Sequence, residues 1–143
     1  MTDKQRVVIV DDETLITDNL RDLLELESDF QVETFNEPES AIHFLRENPE
    51  IGVIVSDFMM PGMNGLEFLT AASGVVPHAS LIMLTGYADK ENVIKAINTI
   101  NLFQYLEKPW DNDNFMLLIK RAAERTDLIG KLQDKISELE AMD

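Results

Sequence analysis

The sequence predicts an α/β fold in which a five-stranded parallel sheet carries helices on both faces. Short runs rich in β-branched residues alternate with longer stretches of helical period, the pattern of repeated strand-helix units. Three of the five candidate strands are apolar on both faces, as a sheet covered from both sides requires. The 143 residues, 45% hydrophobic and 27% charged, are enough for one well-buried core and not for two.

Taken in order, the candidate strands are Arg6–Val10, Gln31–Phe35, Ile51–Ser56, Ser80–Thr85 and Leu102–Leu106. Between them apolar residues recur at helical spacing: Leu15, Ile16, Leu20, Leu23 and Leu24, then Ala41, Phe44 and Leu45, then Leu66, Leu69 and Ala72, then Val93, Ile94 and Ile97. Pro38 fits a first helical turn, and Asn36 and Asp89 read as N-caps. A fifth helix begins near Asp113, with Phe115, Leu118, Ile119 and Ala122 facing the domain, and its period does not stop there. Ile129, Leu132, Ile136 and Leu139 follow at spacings of 3, 4 and 3, although Arg125 interrupts the register extrapolated backwards. A helix of about 30 residues is about 45 Å long, more than the ~35 Å breadth expected of such a domain, so its end projects or folds back. We therefore expect a folded domain over 1–125 and a helical extension over 126–143. The extension's a/d-like stripe suits a parallel second copy, making a homodimer, and its uncapped end suits a coiled-coil linker to an output domain.

The net charge of −15, from 27 acidic and 12 basic residues, disfavours direct contact with nucleic-acid backbones or anionic membranes. Residues 1–112 carry 20 acids against 7 bases, so the acidity belongs mainly to the folded part. No apolar run approaches the ~18 residues of a membrane span, and no signal-peptide pattern opens the chain. With no cysteine either, the expected location is the cytoplasm.

In open parallel sheets the ligand crevice lies beyond the carboxyl ends of the strands. Here the first strand ends in Asp11-Asp12-Glu13, the third in Asp57, the fourth in Thr85-Gly86 and the fifth in Lys108-Pro109. Polar residues follow apolar strands in any α/β protein; an acid pair, an acid, a hydroxyl and an amine in that order is a far narrower pattern. With Pro61-Gly62-Met63-Asn64-Gly65 downstream of Asp57, the stretch from about Arg6 to Ala123 resembles the receiver domains of two-component response regulators. The resemblance implies a doubly wound, flavodoxin-like sheet of order 2-1-3-4-5. It also implies that Asp57 accepts a phosphoryl group from a sensor histidine kinase or phosphotransfer protein, switching dimerisation or output through the fourth and fifth helices.

Three carboxylates brought together repel by about 4 kcal/mol per close pair at an effective dielectric near 20, which favours a divalent cation. An all-oxygen site with open positions suits Mg²⁺. By resemblance Asp12 and Asp57 bind it directly, Asp11 through water, and Met59 through its backbone carbonyl. Lys108 and the Thr85 hydroxyl would then hold the remaining phosphoryl oxygens, and Thr85 and Tyr105 would form the switch pair. An X–Pro bond tolerates the cis form at ~0.5–1 kcal/mol, and the resemblance implies a cis bond at Lys108-Pro109. Met59 and Tyr87 are bulky where many relatives carry polar groups, so we expect them to slow phosphoryl loss by crowding the attacking water. Two other readings compete. A dehalogenase-like phosphatase would carry a second acid two residues after the nucleophile, where this chain has Met59; a phosphorylation-inactive module would not need Asp12, Asp57, Thr85 and Lys108 together.

Overall fold

A computed structural model of the chain describes residues 5–86 and 89–142. Five strands and five helices alternate along it: β1 (Arg6–Val10), α1 (Thr14–Glu27), β2 (Gln31–Phe35), α2 (Pro38–Glu47), β3 (Val53–Asp57), α3 (Gly65–Val75), β4 (Ser80–Thr85), α4 (Lys90–Ala96), β5 (Leu102–Glu107) and α5 (Asn112–Ala141). The strands form one parallel sheet of order β2-β1-β3-β4-β5, the doubly wound arrangement expected above.

Period-two alternation divides the core. Val7 and Ile9 of β1, Val53 and Val55 of β3, and Ile82 and Leu84 of β4 pack with Leu20 and Leu24 of α1 and Phe115, Ile119 and Ala122 of α5. Val8, Val10, Ile54, Leu81 and Met83 point the other way, against Ala41 and Leu45 of α2, Phe68 and Leu69 of α3, and Val93 of α4. Each large side chain taken out of water contributes roughly 1.5–3 kcal/mol. Because β1, β3 and β4 are sandwiched from both sides, every residue in them but Arg6 is buried, whereas the edge strand β2 alternates exposed Gln31 and Glu33 with buried Val32. The other edge strand, β5, departs from strict alternation: the register with β4 slips between Leu81 and Ile82, which pair with Leu102 and Gln104.

Several local expectations shift. Asn36 does not cap α2; Glu37 holds that position, with Pro38 at the helix start, and the Asn36 amide instead donates to the Asp11 carbonyl (2.8 Å) and the Thr17 hydroxyl (3.2 Å). Asp89 stands before α4 but makes no side-chain capping bond. Ile51 and Gly52 are buried yet precede β3, and the Gly52 amide donates to the Arg6 carbonyl at the sheet's rim (3.0 Å). Leu15 and Ile94 share the helical period without sharing the buried face. The last helix is one continuous element of 30 residues whose final turns, from Lys131 onward, are exposed.

Candidate functional site

The strand order reverses between β1 and β3, and a crevice opens there at the carboxyl end of the sheet. Register places the residues of interest at that end. Val10 pairs with Ser56, so the β1 terminus lies beside the β3 terminus; Asp57 pairs with Leu84 and Thr85 with Glu107. Backbone bonds continue the pairing one step past the strands, from Phe58 N–H to the Leu84 carbonyl (2.9 Å) and from Lys108 N–H to the Thr85 carbonyl (2.8 Å). Asp11 N–H donates to the Phe35 carbonyl of β2 (3.1 Å), which holds the start of the acidic loop against the sheet.

The loop after β3 is shaped by its glycines. Gly62 has φ +82°, the left-handed region that side chains avoid, and a Cβ on Gly65 would overlap the carbonyl oxygen of Asp57. Gly65 N–H donates to the Phe58 carbonyl (2.8 Å), so α3 starts directly beneath the acid. Asn64 caps that helix reciprocally: its side chain accepts from Glu67 N–H (2.9 Å) and the Glu67 carboxylate accepts from Asn64 N–H (3.0 Å). The motif 61–65 is thus a device for bringing a helix close to the end of β3.

Within the crevice Asp11, Asp12 and Asp57 bring carboxylate oxygens within 4.8 Å of one another, and Lys108 Nζ lies 2.7 Å from Asp57 Oδ1. The Lys108-Pro109 peptide bond is cis. Asp11 and Asp57 are buried and Asp12 is exposed, so the cluster has a dry floor and an open mouth. Glu13 N–H donates to Asp11 Oδ1 (2.9 Å), whereas Asp11 Oδ2 is buried with no hydrogen-bond partner among the described residues. A buried oxygen left in that state costs free energy unless something outside the chain completes it.

Electrostatics agree with the geometry. Burial, with Asp57 and Asp12 nearby, pushes the Asp11 carboxyl up to about 7 against the opposing pull of the Glu13 amide and Lys108. Burial also holds Asp57 above the ordinary carboxylate range, even though the Lys108 hydrogen bond and charge favour its ionised form. For Lys108 burial acts downward, but the bond to Asp57 and the surrounding acids outweigh it and leave its pKa raised. An acidic pocket with three converging carboxylates, one of them unsatisfied and spanned by a single ammonium, fits a hard, oxygen-preferring divalent cation.

Thr85 is buried beside the crevice, and its hydroxyl donates to the Gly86 carbonyl (3.2 Å), leaving it uncommitted to Asp57. Tyr105 is half-buried, and it packs against the core on the α2–α4 side. Met59 is exposed just beyond Asp57; Tyr87, expected to act with it, lies outside the described residues. Ile129, Leu132, Ile136 and Leu139 lie on the far part of α5, away from these groups in the chain's order. Sequence reasoning missed Asn36, which ties the Asp11 carbonyl to Thr17 across 25 and 19 residues of chain. An asparagine next to a helix start carries a capping signal and no signal of that longer contact.

A family model described as the response regulator receiver domain matches residues 7–120. Among curated proteins, the hydrogenase transcriptional regulatory protein HoxA of Cupriavidus necator is 37% identical over 133 residues, covering 92% of this chain and 27% of HoxA. The transcriptional regulatory protein FixJ of Bradyrhizobium diazoefficiens is 27% identical, covering 92% of this chain and 62% of FixJ. The chain thus spans about a quarter of the length of HoxA. Among solved structures, a response regulator receiver domain protein from Clostridium thermocellum is 30% identical with a TM-score of 0.81, over 87% of this chain and 98% of that one. No helix among the described residues is long and apolar enough to cross a membrane. With the sheet order, the acidic crevice and the motif positions in agreement, the chain belongs to the response regulator receiver domain family of two-component signalling.

Proposed function

We propose that Asp57 is the phosphoacceptor of this receiver, and that a sensor histidine kinase or phosphotransfer protein is the donor. The observation that carries the reading is the buried Asp57 carboxylate, held 2.7 Å from Lys108 Nζ and within 4.8 Å of the Asp11 and Asp12 oxygens. In the transfer, an Asp57 oxygen attacks phosphorus, an O–P bond forms, and the N–P bond to the donor imidazole breaks with its electron pair staying on nitrogen. Lys108, already oriented toward Asp57, neutralises charge on the incoming group. Thr85 exchanges its Gly86 contact for a phosphoryl oxygen, and Tyr105 follows into the space released. Such a movement would couple the crevice to β5 and to α4, whose Lys90 forms an ion pair with Glu107 at the end of β5 (3.2 Å).

Mg²⁺ fits the donor set. Asp12 and Asp57 would hold it directly, Asp11 through water and Met59 through its carbonyl. When bound it supplies Lewis-acid neutralisation of phosphoryl charge. The orphaned Asp11 oxygen supports a ligand of this kind. Residues 1–125 form the receiver unit in this reading and 126–143 lead toward an output.

Incubation with acetyl phosphate and Mg²⁺, followed by intact-mass measurement, tests the proposal. One phosphoryl group per chain, lost in Asp57→Asn, is expected. Continuous release of phosphate with no retained phosphoform would favour a phosphatase-like enzyme, and no reaction would favour an inactive module.

A further inference from the structure

The helix α5 changes its chemistry where it leaves the domain. Up to that point its inward face is Phe115, Met116, Ile119, Ala122 and Ala123, all buried. At about 100° per residue, the same face continues through Thr126, Gly130, Gln133, Ser137 and Glu140, which are polar or lack a side chain. The apolar residues of the distal part, Ile129, Leu132, Ile136 and Leu139, lie roughly 120° further round the helix by the same geometry. This second stripe is therefore not the core face carried past the edge of the domain. Leu132, Ile136 and Leu139 are about half exposed or more, and Leu128 and Met142 beside them are exposed as well.

A hydrogen-bonded clamp marks the change of face. Thr126 Oγ1 donates to the Gly52 carbonyl (2.7 Å) and lies 2.8 Å from Ser80 Oγ, which donates to the Ala122 carbonyl (2.8 Å). Arg125 Nη1 donates to Ser80 Oγ (3.1 Å), so the residue that breaks the extrapolated register is engaged with the sheet. The seam begins after the clamp.

We infer that residues 128–142 form a parallel, in-register coiled coil with a second copy of this chain. With Ile129 and Ile136 at a and Leu132 and Leu139 at d, the core choice is the one that favours two parallel strands. Lys135 then falls at g and Glu140 at the following e, five residues on, so each Lys135 meets Glu140 of the second copy. An antiparallel pair sets g against g and e against e. The g positions here are Leu128, Lys135 and Met142 and the e positions Gln133 and Glu140, so no opposite charges would meet. The outer face is polar, with Asp127 and Lys131 paired along the helix at 3.0 Å. Seam and charge pattern together specify the partner as the chain itself.

This inference does not depend on the reading of Asp57, and its test is separate. Sedimentation equilibrium of the 143-residue chain should show a mass rising from monomer toward dimer with concentration, and Leu132→Asp should remain monomeric while taking up a phosphoryl group like the parent. The chain has no cysteine, so one introduced thiol reports orientation. Leu139→Cys should close a disulfide between copies at least ten times faster than Asp134→Cys on the outer face. A monomeric parent at every concentration would overturn the inference. So would equal cross-linking by the two thiols, or a dimer in which Leu139→Cys fails to cross-link.

Discussion

Two clusters of buried polar groups, one at each end of the sheet, are treated in opposite ways. At the amino end Ser80, Thr126 and the carbonyls of Gly52 and Ala122 satisfy one another in a closed network. At the carboxyl end Asp11 Oδ2 has no partner among the described residues, and burial holds Asp11 and Asp57 above the ordinary carboxylate range. Satisfied burial contributes to stability at about 0.5–1.5 kcal/mol per bond, whereas unsatisfied burial is a cost that a ligand can relieve. The same sheet thus supports one end whose polar groups satisfy one another and one that leaves room for a ligand.

The largest contrast is in chemistry. Asp57→Asn should abolish phosphoryl uptake altogether, measured by intact mass, while Thr126→Val should leave its rate and extent unchanged. If both variants lose uptake, the two ends are not independent.

Stability against pH gives the next contrast. In the metal-free chain the folded Asp11 pKa is about 7 against an ordinary 3.8. Between those values the folded state holds more protons than the unfolded one, so stability falls as pH rises from about 4 to 7 and levels off above. The loss is on the order of 2–4 kcal/mol. Asp11→Asn should flatten that slope and stabilise the metal-free chain at pH 8, read by urea unfolding across the pH range; a parent whose stability climbs over the same interval would contradict the account. Mg²⁺ should stabilise the parent more than the variant, again by urea unfolding.

Thr126→Val points in the other direction, costing about 0.5–1.5 kcal/mol with little dependence on pH, because the Gly52 carbonyl loses one of two partners and keeps the Ser80 amide (2.9 Å). Equal urea midpoints for variant and parent would show that the clamp adds nothing. The smallest effect is expected at Met59→Asn, an exposed change beside Asp57. A polar side chain there should admit hydrolytic water and shorten the phosphoform's lifetime a few-fold, with Met59→Asn, Tyr87→Glu shortening it further, followed as loss of the phosphorylated mass with time.

Legibility in the sequence followed the range of the interaction. Apolar runs at period two and stripes at period 3.6 are local patterns, and they announced ten elements and the positions of Asp11, Asp12, Asp57, Thr85 and Lys108 at strand ends. The boundaries of β3, the role of Asn36 and the slip in β5 were not legible, since each depends on a neighbour far along the chain. Gly52 and Thr126 are 74 residues apart and Ser80 and Ala122 are 42 apart, with no shared spacing to betray them. The repeating stripe of the tail was visible as letters; that it lies on a different face from the core-packed part of α5 became evident only when the buried residues were known.

By itself, then, the order of amino acids determined which segments are strands and helices and which carboxylate, hydroxyl and amine side chains stand at their ends, because backbone periodicity and strand polarity are local properties. Only the tertiary structure decided that Lys108 reaches Asp57, that one Asp11 oxygen is left without a partner among the described residues, and that α5 is clamped at Thr126 before its apolar stripe turns outward. Those outcomes come from burial and from distances through space, which are set when the sheet closes its neighbours together.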